Sequence, residues 1–165
     1  IEHGNLIDRA TLELMREKEA WLVPTLVTYN SLHKYGAEYG LPPVSVAKVD
    51  DVRVQGLEAL AMAHEVGVNI GLGTDLLGGM HKDQCNEFTI RAQVMPALEV
   101  LRSATSQNAR LLNREGELGV VASGALADLI AVDGNPLQDI ACLDGQGDDL
   151  ALILKGGQVL KNHLG

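Results

Sequence analysis

From Ile1 to Asn113 the chain alternates short apolar runs with long amphipathic stretches, in the order strand, helix, strand, helix, strand, helices. Parallel strands need a crossover connection, and a helix usually supplies it, so this order predicts an α/β fold with a parallel sheet and helices outside it. Trp21-Leu22-Val23-Pro24-Thr25-Leu26-Val27-Thr28 has the β-rich, apolar character of a strand covered on both faces. Pro24 weakens the middle of that run, because proline cannot donate to a ladder. Val68-Asn69-Ile70-Gly71-Leu72-Gly73 is a second such run and closes in Thr74-Asp75, and Ile1-Glu2-His3-Gly4 is the end of a third, entering a loop.

Helices are predicted between them. Asp8 can cap one running to about Glu19, with Ile7, Ala10 and Leu14 at helical spacing. Residues 29–43 form a Tyr- and Gly-bearing excursion ended by Pro42-Pro43. A long helix then spans 44–66, with Val49, Val52, Gly56, Leu60 and Ala63 on one face and Gly67 as its stop. A polar loop reaches Asp83. Further helices run to Val94, from Pro96 to Ser103, and from a Thr105 cap to Leu112.

After Asn113 the texture changes. Leu118–Val121, Asp128–Val132, Leu150–Leu154 and Gln158–Leu160 read as short strands, separated by turns such as Asp133-Gly134 and Gly156-Gly157. The expected division is therefore 1–113, strands and helices, and 114–165, a small β segment. Periodicity alone leaves an open sheet and a closed barrel equally available for the first part.

Apolar residues at 46% and charged residues at 21% describe a chain with a real core. The aromatics are only Trp21, Phe88, Tyr29, Tyr35 and Tyr39, so that core must be aliphatic. A net charge of −9 argues against nucleic acid and anionic membranes as partners. No apolar run reaches the roughly 18 residues of a membrane span. Cys85 and Cys142 match no CxxC pattern, which fits a reduced, cytoplasmic compartment. The first residue is Ile, so an upstream part, with or without a signal peptide, is expected.

Two positions stand out as candidates for chemistry. His3 and Asp75 each end a predicted parallel strand, and in α/β barrels strand ends converge on one cavity. Histidine offers a neutral nitrogen to zinc; aspartate can bind metal or take a proton from water. The residues alone leave open a surface histidine and a loop-capping aspartate. His33 and His81 lie in loop-like regions that could overhang the rim, His64 sits near a helix end and His163 in the tail. No HxH, HExxH, Walker A or GxSxG motif occurs, and Gly71-Leu72-Gly73 does not lead into a phosphate-cradling helix start.

The ordered set Ile1-Glu2-His3-Gly4, Leu22-Val23-Pro24-Thr25-Leu26, Gly71-Leu72-Gly73-Thr74-Asp75, Ala104-Thr105-Ser106-Gln107-Asn108-Ala109, Gly119–Leu129 and Asp133-Gly134-Asn135-Pro136-Leu137 resembles the amidohydrolase superfamily, in particular its prolidase-like and Xaa-Arg dipeptidase-like members. The resemblance covers essentially the whole chain. It implies strands six to eight of a (β/α)8 TIM barrel with their helices, plus a segment of a small β-sandwich. It implies His3 as the metal ligand of the sixth strand, and Asp75 as the metal ligand and proton shuttle of the eighth. It implies one or two zinc ions, other divalent metals being compatible, and a zinc-activated hydroxide that hydrolyses an amide in a dipeptide or other small-molecule substrate. The family's first-strand His-x-His pair, fourth-strand lysine and fifth-strand histidine have no counterpart here. The isolated chain is therefore expected to be inactive, and to need the missing N-terminal barrel half or self-association to cover its open sheet. An imidazolonepropionase-like cyclic-amide hydrolase and a non-catalytic assembly module of the same fold are the alternatives.

Overall fold

A computed structural model describes residues 1–164 and leaves Gly165, the last residue of the predicted β segment, outside the described residues. Three parallel segments stand side by side. Glu2 bridges to Val23, with the His3 amide donating to the Val23 carbonyl at 2.9 Å. β1 (Trp21–Leu22) pairs with β2 (Asn69–Ile70) in parallel register, Trp21 opposite Asn69 and Leu22 opposite Ile70. Between them run α1 (Arg9–Glu17), α2 (Leu26–Tyr35) and α3 (Pro43–Val66). Asp8 caps α1 as its position predicts, accepting from the Thr11 amide at 2.8 Å. Gly67 ends α3 in the left-handed region at φ 83°. The core is aliphatic: Leu12 and Met15 of α1, Leu22, Ile70, and Leu60, Ala63 and Val66 of α3 are buried together.

The strand expected over 21–28 is corrected by the structure. It ends at Val23, and Leu26 already begins α2. The cause lies outside the segment. The carboxylate of Glu87, on α4 (Asn86–Ala92), accepts from the Val27 amide at 2.7 Å and so satisfies a free donor of the first turn of α2. The apolar, β-branched run would favour a strand by propensity, and tertiary contact overrides it.

Beyond α4 come α5 (Ala97–Ala104) and α6 (Ser106–Leu111). Thr105 precedes α6 but does not cap it through its side chain, because its hydroxyl donates to the Leu101 carbonyl at 2.7 Å. The loop expected over 76–83 contains a tight 3₁₀ turn, Gly78–Asp83. In the tail, β3 (Leu129–Val132), β4 (Leu150–Lys155) and β5 (Gln158–Asn162) form an antiparallel sheet in that order. The strand expected at Leu118–Val121 is absent; only a Glu115–Leu118 bridge forms, and Val121 is largely exposed. Among the described residues no helix is long and apolar enough to cross a membrane.

Candidate active site

His3 ends the first parallel segment and Asp75 follows the third. Both adopt left-handed backbone, φ 66° and 49°. For side chains other than glycine this costs on the order of 1–2 kcal/mol, and such strain often accompanies function. At His3 the turn continues through Gly4, also at positive φ, where a Cβ would lie 2.7 Å from Leu22 Cδ1. The turn points the imidazole across the strand ends. His3 Nδ1 is 2.8 Å from Thr25 Oγ1 and 3.9 Å from Asp75 Oδ2, while the two side chains remain 40% and 55% exposed. Thr25 thus engages one ring nitrogen and leaves Nε2 available.

Asp75 is fixed through its backbone, its carbonyl accepting from Thr28 Oγ1 at 3.0 Å. Tyr29, one residue further along α2, is the rim residue that the sequence reading did not single out. Burial, and then the nearby Asp75 charge, push its phenol up from 10.0, so it stays protonated and can donate. Nothing in the residue pattern sets Tyr29 apart from Tyr35 or Tyr39; only the early start of α2 brings it to the rim.

The other histidines are placed elsewhere. His33 Nδ1 lies 3.5 Å from Asp50 of α3, a carboxylate already shared with Arg53. His81 Nδ1 meets the Gly78 carbonyl inside its own turn at 2.8 Å. The backbone amide of His163 donates to Ala151 in the sheet. His64 stays near the end of α3.

Beneath the rim lies a buried ion pair, also missed by the sequence reading. Glu87 and Arg91 are 0% exposed, with Arg91 Nε donating to Glu87 Oε1 at 2.7 Å. Burial pushes the Glu87 carboxyl up and the guanidinium down, and their mutual attraction opposes both shifts. The i, i+4 spacing of Glu87 and Arg91 is legible in the sequence, but a surface pair has the same spacing. Asn108 of α6 makes a two-point contact with Leu72 of the third segment, accepting from its amide at 3.0 Å and donating to its carbonyl at 2.9 Å. Gly71 leaves room for it, since a Cβ there would meet Asn108 Oδ1 at 2.8 Å.

The donor set fits part of a metal site. An imidazole with one nitrogen held by a neighbour and the other free, facing a half-exposed carboxylate, is the ligand chemistry of zinc and related divalent ions. Among the described residues no third His, Cys, Asp or Glu joins them, whereas catalytic zinc sites usually draw three ligands from protein.

Parallel strands flanked by helices, with a histidine and an aspartate meeting from the ends of two strands that flank a third, define the class as an α/β-barrel segment carrying a polar rim. The chain belongs to the Amidohydrolase family, which it matches over residues 1–159. It superposes on a prolidase solved in complex with N-methylphosphonate-L-proline with a TM-score of 0.93 and 51% identity, covering 98% of this chain and 40% of that one. A Xaa-Pro dipeptidase with methionine bound in its active site gives 0.83 and 32%, covering 98% of this chain and 39% of that one. Ochratoxinase from Aspergillus niger is 30% identical over 162 residues, 98% of this chain and 33% of its own length. The chain thus spans about a third to two fifths of these relatives, and its parallel segments and helices are the matching part of a TIM barrel.

Proposed function

We propose that the protein containing this chain hydrolyses a carbon–nitrogen bond, the amide of a small dipeptide-like substrate, with a divalent metal held in part by His3 and Asp75. The observation that carries the reading is the approach of these two side chains from separate strand ends, 3.9 Å between His3 Nδ1 and Asp75 Oδ2, with Thr25 also on that Nδ1. Family membership and the prolidase and dipeptidase similarities support the hydrolytic chemistry. A bound metal, zinc being our assignment, would polarise the scissile carbonyl and lower the pKa of water.

The chain's own residues have distinct roles in this reading. His3 would hold the metal, with Thr25 engaging its Nδ1 and Nε2 left open as the ligand. Asp75 would hold the metal as well, and its carboxylate would accept the proton from the attacking water and return it to the leaving amine. Tyr29, protonated, offers a donor beside Asp75 to a polar group of the substrate. We also propose that 1–113 forms the barrel part and 114–165 part of a β-sandwich, which the remainder of the protein completes.

The test is hydrolysis of a panel of dipeptides, Xaa-Pro and Xaa-Arg among them, by the complete zinc-loaded protein and its Asp75→Asn variant. The expected result is turnover by the parent and a loss of kcat of about 10²-fold or more in a folded variant. Near-parental kcat in Asp75→Asn removes the aspartate from the mechanism. A panel in which only cyclic amides react moves the substrate class.

A further inference from the structure

The parallel ladder between the second and third segments stops abruptly. The Gly71 amide donates to the Leu22 carbonyl at 2.9 Å. In parallel register the next rung would run from the amide of residue 24 to the Gly71 carbonyl. Residue 24 is proline and has no amide hydrogen. Arg91 takes the place of that rung. One terminal nitrogen donates to the Gly71 carbonyl at 2.9 Å and to Ser103 Oγ at 3.4 Å, and the other donates to the Pro24 carbonyl at 2.6 Å. Its Nε holds Glu87, whose second oxygen holds the Val27 amide.

We propose that Arg91, with Glu87, is a positioning pair for the site: the guanidinium is a spacer that sets the gap between the strand ends carrying Thr25 and Asp75, and through it the metal affinity of His3 and Asp75. The metal part of this inference rests on the proposed function. Three contacts carry it. Pro24 immediately precedes Thr25, the partner of His3 Nδ1 at 2.8 Å. Val27 immediately precedes Thr28, whose hydroxyl holds the Asp75 carbonyl at 3.0 Å. Gly71 lies on the segment that runs directly into Asp75, and Asn108 fixes the neighbouring Leu72. Two anchors of the pair, Pro24 and Val27, are thus one residue from a side chain that touches His3 or Asp75, and the third, Gly71, lies four residues before Asp75 on the same segment.

Stability alone does not explain such a pair, because well-packed apolar residues often replace a buried ion pair at no loss. What an apolar pair cannot do is donate to two carbonyls on two strands at a fixed spacing. The planar fork of arginine can, and the single ammonium of lysine cannot span both with the same geometry.

The test uses the complete protein and Arg91→Lys, which keeps a cation for Glu87. Zinc affinity is measured by competition with a chromogenic chelator, kcat and KM separately with a dipeptide, and the His3–Asp75 separation in crystal structures of parent and variant. The expected result is a folded variant whose zinc affinity and kcat fall about 10-fold or more while KM stays within about twofold. The separation of the two side chains should change by more than about 0.5 Å. Unchanged zinc affinity and separation, with only the melting temperature lowered, would overturn the proposal. Should Arg91→Lys fail to fold, Pro24→Ala serves instead. It restores the missing amide, lets the rung close in place of the spacer, and should lower zinc affinity in a stable protein; unchanged affinity there overturns the proposal equally. A parent that binds no zinc defeats the metal reading alone, and the crystallographic separation still decides whether Arg91 sets the gap.

Discussion

The parallel segments at the rim and the antiparallel sheet of the tail are each three strands wide, but different forces hold them. β3, β4 and β5 are joined by their own ladders, tightened where Lys155 Nζ and the Gly156 amide both donate to Asp128. The parallel segments share a short ladder that ends at Pro24, and beyond it their spacing comes from side chains of α4 and α6: Arg91, Glu87 and Asn108. A sheet held by its own backbone is a rigid support. Strand ends held by distant side chains can be adjusted by a single substitution, which suits the edge of an active site.

The largest expected effect sharpens that contrast. Arg91→Ala leaves Glu87 buried and unpaired and strands two carbonyls, so it should destabilise the protein by about 3–5 kcal/mol, read by urea unfolding. A cost under about 1 kcal/mol, the level of a surface salt bridge, would break the comparison.

Two glycines probe the regions by different mechanisms. Gly71→Ala places a Cβ 2.8 Å from Asn108 Oδ1 and 3.1 Å from Leu111 Cδ2, and overpacking of this kind should cost about 1–3 kcal/mol. Gly156, at φ 56° in the β4–β5 turn, has open space around it. Its alanine variant should lose only about 1 kcal/mol, for conformation alone. Equal losses accompanied by an unmoved Asn108 in the Gly71→Ala crystal structure would show that Asn108 does not press on the strand.

These differences also explain what could be read from the sequence. The caps at Asp8 and Gly67, the long α3 and the three tail strands rest on local signals, and the structure contains them. The ordered motifs located His3 and Asp75, and the structure brings the two side chains together. The end of the strand at Val23, the start of α2 at Leu26 and the place of Tyr29 at the rim depend on Glu87 and Arg91, whose contacts to this stretch span 60 and 67 positions. No window around residues 21–28 contains that information. Leu118–Val121 failed for the opposite reason: its local pattern is strand-like, but among the described residues it forms only the Glu115–Leu118 bridge and no ladder.

The smallest expected effect lies where α4 meets the connection between β3 and β4. Burial raises the Asp144 carboxyl above its ordinary value of 3.8, against the hydrogen bond from Thr89, and its Oδ1 is buried without a partner. The folded protein thus binds this proton more tightly than the unfolded chain. The contribution of Asp144 to stability is fully present below 3.8 and is lost as pH rises through the raised folded value. Asp144→Asn, which cannot ionise, should therefore melt slightly higher than the parent at neutral pH. The gap should shrink as pH falls toward 3.8. A gap that widens with acidification would contradict the assignment.

The central claim is that His3 and Asp75 hold a metal together, and anomalous diffraction at the zinc edge tests it most directly, on crystals of the complete protein grown with zinc. A peak is expected within about 2.0–2.2 Å of both a His3 ring nitrogen and an Asp75 carboxylate oxygen. The peak should be lost or displaced in His3→Ala. A peak bound elsewhere, or one that His3→Ala leaves unchanged, would contradict it.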